Sequence, residues 1–594
     1  MSNYVITSNE DKTTVVVTST NAPTESQIIE EETNLFIQSG IHDLYNARAC
    51  MRDLLDQLKK AIECENTLRD ADNKLKLYTE IPLLSIAMLI AARDDVSLVA
   101  TGTKGGANQK IRLSVDKRMK LPIGIYQWSG DNEGVWEVTN SPTESFGLLV
   151  EQYKPTATKK EKTEIFTFVK GRLNVITPCQ IPYYTAFENG IWDCLNKQLL
   201  PFSKDLVFTA KCHTRLNQNA VNPFIQIPED GSTWDVDSWL ADLGTPDFVT
   251  LIKEVIQASM LPLAPRDKMV LFYSSSGCNS KGTLCQLIRN ILGEETVASI
   301  PLSEFSKTFG LSRLPGSNAI IVDENCVSDF TKGLAELKAV ITGDVVSINE
   351  KYVPTYDYRF QGLVLQCVND MPNGNDKSGS FYRRLHIIPF TKSFTGSPKK
   401  YIKDRLIYEE QVLEYIVKMV MVDMPYSDTF TENSISLQAL ADYIQTTNSV
   451  VQYLMEILPE VKWDLLPASE FLYDGYKNWL RNVSPSARVC GRNDFYTSVK
   501  QYITTDPVAS VEWEWTNSCR SKGRIDCSVK EPLIVELGLD SFINQTINVG
   551  NPLREYPDAR RIKLKYSGLK RLPTSGTASA VSNSTASDTD DSDD

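Results

Sequence analysis

The residues best placed to do chemistry lie between two apolar runs. Met269-Val-Leu-Phe-Tyr273 is followed by Ser274-Ser-Ser-Gly-Cys-Asn-Ser-Lys-Gly-Thr283 and then by Leu284-Cys-Gln-Leu-Ile-Arg-Asn-Ile-Leu292, an order that reads strand, small-residue loop, helix. A bound triphosphate needs backbone N–H groups turned inward, a helix N-terminus and one fixed cation. Ser276, Gly277, Cys278, Asn279, Ser280 and Gly282 offer the first, a helix starting near Lys281 the second, and Lys281 itself the third, with the Thr283 hydroxyl available for Mg²⁺. The segment departs from Gly-x-x-x-x-Gly-Lys-[Ser/Thr]: Ser275 and Ser280 stand at the glycine positions, and Gly282 comes before the hydroxyl residue. Serine adopts positive φ less readily than glycine, so the loop is expected to be strained or differently shaped. Alone, it also reads as an ordinary Ser/Gly loop.

Three later segments bear on that choice. Asn318-Ala-Ile-Ile-Val-Asp323-Glu324-Asn325 is an apolar strand ending in adjacent carboxylates, Asp323 suited to a Mg²⁺ shell and Glu324 to polarising a water; the alternative is a polar turn. Gly362-Leu-Val-Leu-Gln-Cys-Val368 ends in Asn369-Asp-Met-Pro372, where Asn369 is either a γ-phosphate sensor or a turn former. Phe381-Tyr-Arg383-Arg384-Leu-His-Ile-Ile-Pro-Phe390 sets two arginines before a strand, for phosphoryl charge or for a structural ion pair. In a parallel sheet, ligands gather at the carboxyl ends of the strands.

The elements that must position these groups follow from length and pattern. A chain of 594 residues accommodates about three to five domains. Its net charge of −13 excludes a uniformly basic coat for nucleic acid, though not a local basic groove. Residues 1–26 and 574–594 read as disordered, the latter an acidic tail; 27–104 as helical; 105–245 as a mixed α/β module; 246–430 as apolar strands alternating with helices, an α/β unit with a parallel sheet. Residues 431–510 read as helical and 511–573 as an extension with a basic cluster from Arg560 to Arg571. The run Ile81–Ala92 is too short to span a bilayer and reads as a buried helix, so no membrane partner is expected. The opening residues lack a signal-peptide pattern, and the scattered cysteines read as reduced thiols, which suits a cytoplasmic setting.

With these segments in view, Ser276–Thr283, Ile320–Asn325, Val368–Pro372 and Arg383–Phe390, together with Leu337-Lys338…Gly343-Asp344 and Lys351-Tyr352, resemble superfamily 3 helicases of the phage, plasmid and poxvirus replicative primase-helicase family. The resemblance implies an AAA+-type P-loop ATPase core and ATP with Mg²⁺ as cofactors. It also implies a homo-oligomeric ring, usually hexameric, that unwinds DNA. By that likeness Lys281 and Thr283 hold phosphate and metal, Asp323 and Glu324 serve metal and water, and Asn369 is the sensor. Arg383 or Arg384 reaches a neighbouring subunit's nucleotide, and Lys351 sits on a hairpin gripping single-stranded DNA in the channel. The family pattern Asn-Gly-Lys is here Asn279-Ser280-Lys281, which puts the hydrolysis rate in doubt.

Asp70/Asp72 and Asp235/Asp237 have the spacing of primase carboxylates but read as solvated polar residues, so a primase, where needed, would be a separate partner. Ser469–Leu480 reads as an amphipathic helix with Ser469 as its cap, and Asn493 as the cap of a second. Together they suit a winged-helix-like module with Arg488, Arg492 and Lys500 facing duplex DNA, or an ordinary helical hairpin. The expected function is an ATP-dependent DNA helicase initiating replication of a virus or mobile element. The alternative is an ATP-binding origin-recognition protein or scaffold with weak hydrolysis.

Overall fold

The computed structural model describes residues 6–7, 16–17, 22–102, 114–325, 334–351, 353–370, 379–395, 399–485, 487, 489–520, 531–539 and 565–573. The expected acidic tail and most of the expected N-terminal disorder lie outside them. The chain divides into two compact units, one of Met1–Asn375 with Arg384–Ala439 and one of Asp376–Arg383 with Leu440–Asp594.

After a short antiparallel pair, Ile6–Thr7 with Val16–Val17, the first unit has helices Glu25–Gln38, Ala47–Thr67 and Leu83–Ala91. Thr24 and Gln27 form a reciprocal capping box on the first, and Asn46 caps the second, satisfying N–H groups a helix start leaves open. Leu54 and Leu58, one turn apart, are fully buried. These helices share one core with a four-stranded sheet ordered Trp136–Thr139, Ile123–Tyr126, Val96–Val99, Val175–Ile176. Phe36, Leu54 and Ile86 pack in the same cluster as Ile123, Phe146 and Ile165, so the core runs straight across residue 104.

Helix Lys159–Arg172 carries a buried lysine, Lys170, whose Nζ donates to Asn140 Oδ1 and to the Met119 carbonyl at 3.2 Å. Burial pulls its amine down to about 8. Below that pH folded and unfolded chains are both protonated and the full desolvation cost is borne. Above it the folded chain releases its proton first, so stability rises with pH until the unfolded lysine titrates near 10.5. Lys170→Met is expected to remove this slope: between pH 7 and 10 the variant's advantage in urea unfolding shrinks by ~1–3 kcal/mol.

After a three-stranded antiparallel meander over Tyr184–Leu200 comes the central sheet: β1 (Met269–Tyr273), β2 (Val297–Ala298), β3 (Ala319–Val322), β4 (Leu363–Val368) and β5 (Leu385–Pro389). All neighbours are parallel and the order is β2-β3-β4-β1-β5. The strands are near-continuous apolar runs because a parallel sheet is covered rather than half-solvated. β3 and β4 are buried along their length. Helices Pro246–Met260, Lys281–Leu292 and Glu410–Lys418 contribute Leu251, Leu284 and Val412 to the same core. The class is α/β with a parallel sheet.

In the second unit, Leu465–Pro467, Lys565–Arg571 and Trp513–Arg520 form an antiparallel sheet with Lys565–Arg571 in the middle. Gly568 is required there, since a Cβ would fall 2.0 Å from the Leu466 carbonyl oxygen. This unit's core includes Phe471, Trp479, Phe495, Trp513 and Leu569. Two expected caps are corrected. Ser469 lies inside a wide helical turn, Ala468–Tyr473, which follows Pro467 and runs into helix Asp474–Val483. Helix Arg492–Thr505 starts from extended Gly491, which leaves Asn493 within its first turn. Among the described residues no helix is long and apolar enough to cross a membrane.

Candidate active site

Because the central strands are parallel, the segments leaving β1, β3 and β4 emerge at one edge of the sheet. The loop after β1 ends at Ser280, where helix Lys281–Leu292 starts. Ser280 (φ +68°) and Cys278 (φ +54°) are both left-handed. Buried Asn279 holds the turn: its amide donates to the Ser276 carbonyl, and its Oδ1 accepts from the Lys281 N–H at 3.3 Å. The strain expected of the missing glycine is thus located at Ser280 and shared with Cys278. Ser280→Gly removes ~1–2 kcal/mol of left-handed penalty and adds ~0.4–1 kcal/mol of unfolded-chain entropy. We expect a net stabilisation of ~0.5–1 kcal/mol in thermal unfolding.

Lys281 is buried, and its Nζ donates to Asn369 Oδ1 at 2.7 Å, to the Val368 carbonyl at 3.0 Å and to the Ser274 carbonyl at 3.4 Å. The loop lysine and the asparagine after β4 therefore meet, although 88 positions separate them. Burial lowers the Lys281 amine below its usual range, and the charge of Glu324 is among the influences opposing that shift. Asp323 and Glu324 follow β3 and are exposed. Arg289, from the loop helix, donates to the Ile321 carbonyl and lies 3.9 Å from Asp323 Oδ1. Thr283 is half-buried on the first turn of the helix.

Ser280, Lys281, Gly282 and Thr283 line a cavity of about 680 Å³. Its other walls include Trp234, Trp239 and Phe394, with Lys399, Lys400 and Lys403. Lys403 Nζ lies 3.5 Å from where a Cβ on Gly282 would sit, so a second amine stands at the start of the same helix. Asp235, Asp242 and Asp404 line it too, so its walls set aromatic rings beside charges of both signs at the start of the loop helix.

Arg384 is not at this edge. It directly precedes β5, and its carbonyl accepts from the Met269 N–H, the first residue of β1, at 2.7 Å. Five residues of strand, about 15 Å, separate that end from the loop. Arg383 is exposed and belongs to the second unit.

Lys351 is exposed at the tip of a hairpin made by Val345–Glu350 and Val353–Arg359. The hairpin's second strand is bonded to the first module. Arg359 N–H donates to the Thr101 carbonyl at 3.0 Å, Thr101 Oγ1 to the Asp357 carbonyl at 2.8 Å, and Arg359 Nε to the Gly102 carbonyl at 3.0 Å. Asn140 Nδ2 donates to the Pro354 carbonyl at 3.3 Å. In the second unit, exposed Arg492 covers the Tyr473 ring at 5.3 Å and exposed Lys500 the Trp515 ring at 4.6 Å. Arg488, Met371, Pro372 and Tyr352 lie outside the described residues.

Residues 272–384 match the Family of unknown function (DUF5906). That stretch carries the loop, the carboxylate pair, Asn369 and both arginines. Two solved apo structures of the NrS-1 C terminal region resemble the chain, each at 12% identity over 71% of it. They are covered over 87% and 86% of their own lengths, with TM-scores of 0.35 and 0.37.

Some of the site carried no motif. Asn325 donates to Gln366 Oε1 at 2.9 Å and to the Cys367 carbonyl at 3.1 Å, tying the end of β3 to β4. Asn325 itself closes the segment Ile320–Asn325 that carries the resemblance, but its partner Gln366 shows only as a polar residue inside an apolar strand. Lys403 and the wall around Trp234 had none, being far from the loop in sequence. Asp235 caps helix Val236–Leu243, accepting from the Ser238 N–H at 2.9 Å.

Proposed function

We propose that this chain is an ATP-hydrolysing DNA motor of the superfamily 3, AAA+ type, acting as a ring of identical subunits to unwind DNA at a replication origin. The observation that carries the proposal is the Lys281–Asn369 contact. It joins the loop lysine to a sensor-type asparagine across the two adjacent strands β1 and β4. The strand order adds to it: β4 lies between the loop strand and the carboxylate strand, the arrangement that lets one triphosphate be touched from three strand ends at once.

In this reading the nucleoside occupies the cavity beside Trp234 and Phe394, and its phosphates reach the start of helix Lys281–Leu292. Lys281 exchanges carbonyl partners for phosphate oxygens, and Asn369, freed of the amine, orients toward the terminal phosphate. Glu324 takes a proton from the attacking water. The Thr283 hydroxyl and the Asp323 carboxylate are the hard oxygen donors that would hold Mg²⁺, an ion that asks a nucleotide site for only one or two protein oxygens and keeps waters for the rest. Bound there, it would neutralise charge on the phosphates. Arg383 or Arg384 would act on a neighbour's nucleotide, which agrees with the distance of Arg384 from its own loop. Lys351 would hold a DNA phosphate in the channel, while Arg492 and Lys500, in a winged-helix-like unit, would meet duplex DNA.

A second reading, an origin-binding protein that holds ATP with little turnover, is favoured by one feature. The loop takes left-handed turns at Cys278 and Ser280, where glycine would be unstrained. The experiment that separates the two is phosphate release with and without single-stranded DNA, with oligomer mass and strand displacement measured in parallel. The motor reading expects DNA-stimulated turnover by an oligomer. Tight nucleotide binding without turnover supports the second.

A further inference from the structure

A second cavity in the first unit, about 830 Å³, is unconnected with the nucleotide chemistry. One wall is helix Lys159–Arg172, which lines it with Lys159, Thr163, Phe166 and Lys170. These fall at positions i, i+4, i+7 and i+11, a single stripe along the helix. Another wall is the hairpin tip with Lys351, and a third carries Phe309, 48% exposed.

Two observations point to an anionic, base-bearing ligand. Lys170 is buried, yet the acceptors it meets are neutral: Asn140 Oδ1 and the Met119 carbonyl. No carboxylate among the described residues pairs with it. A cation placed out of water without a counter-ion is unfavourable, and an anion entering the cavity would relieve that. Lys159 and Lys351 are exposed cations on the same walls. The carboxylates there number fewer than the lysines, and both are engaged by hydroxyls: Glu350 by Tyr356 at 3.1 Å and Glu144 by Thr139 at 3.2 Å. The second observation is Phe309, a large ring held half in solvent at the rim. A cationic groove with an exposed aromatic is the pattern that holds single-stranded nucleic acid, lysines on phosphates and a ring under a base. Lys159 and Lys170 lie about 16 Å apart along the helix axis, room for successive phosphates.

We propose that this cavity is a groove for single-stranded DNA, continuing the track of the hairpin tip across the first module, with Lys159 and Lys170 on the backbone and Phe309 stacked on a base. The inference rests on the DNA-motor reading, and its test keeps the two apart. The probe is a fluorescein-labelled oligothymidylate bound to the full chain and followed by anisotropy. The same oligomer carrying 5-iododeoxyuridine is photocrosslinked and the attachment mapped on peptides. Lys159 and Phe309 are both exposed, so their substitution leaves the core intact. Phe309→Ala is expected to weaken binding about 5- to 10-fold. Lys159→Ala should reduce the slope of log affinity against log salt by about 0.7, the share of one phosphate on a single strand, and crosslinks should fall on Phe309. If the full chain binds the oligomer but both variants match it within about twofold and crosslinks avoid residues 159–170 and 309, the groove is wrong while the DNA reading stands. If the full chain binds no oligomer, both fall.

Discussion

Lys281→Ala is expected to lower nucleotide hydrolysis by about 10³-fold, the scale on which a single well-placed charge or oxyanion donor acts on phosphoryl or acyl transfer. The amine has no substitute at its own position, because it is delivered from the first helical turn into the gap between β1 and β4. Folding should change little. The variant loses a desolvated cation, which favours it, and loses that cation's bonds to Ser274, Val368 and Asn369, which does not; the two effects oppose. Phosphate release and a thermal melt on the same preparation check both halves. Turnover within tenfold of the parent would remove Lys281 from the mechanism, whatever the melt shows.

Glu324→Gln should separate binding from turnover. The side chain keeps its size and loses its proton affinity, so hydrolysis is expected to fall by about 10²–10³-fold, the range of general-base catalysis. Nucleotide affinity should stay within about threefold, because the group acts on the water and not on the ground-state phosphates. Such a variant should hold ATP and, if rings depend on bound nucleotide, trap the assembled form. Affinity lost in step with turnover would instead place Glu324 on the nucleotide or on its metal. The result also decides between the motor and the weakly hydrolysing initiator: only an enzyme with real turnover can lose it.

The parts legible in the sequence were those where one element repeats a local pattern. The apolar runs before Ser274, Asp323 and Asn369 are strands because residues buried on both faces leave no polar alternation, and the loop-to-helix change at Lys281 is visible as a switch of period. What the pattern did not hold was anything set by tertiary approach. Lys403 comes to Gly282 only because the chain folds back after β5, and no spacing announces it. The Asn325–Gln366 bond needs β3 beside β4, an adjacency that strand order alone decides. Ser469 and Asn493 are good capping types, yet both were displaced from cap positions, since Pro467 and Gly491 end the preceding extended segments first and set where each helix can begin. The core shared by Leu54 and Ile123 erased a compositional step that looked like a boundary.

The bonds from Thr101, Gly102 and Asn140 to the hairpin's second strand have a mechanical consequence. Each contributes about 0.5–1.5 kcal/mol net, and they would have to break together for the hairpin to swing free. The tip carrying Lys351 is therefore backed by the N-terminal sheet, and a load applied there would be borne by that folded layer rather than by a two-stranded finger alone.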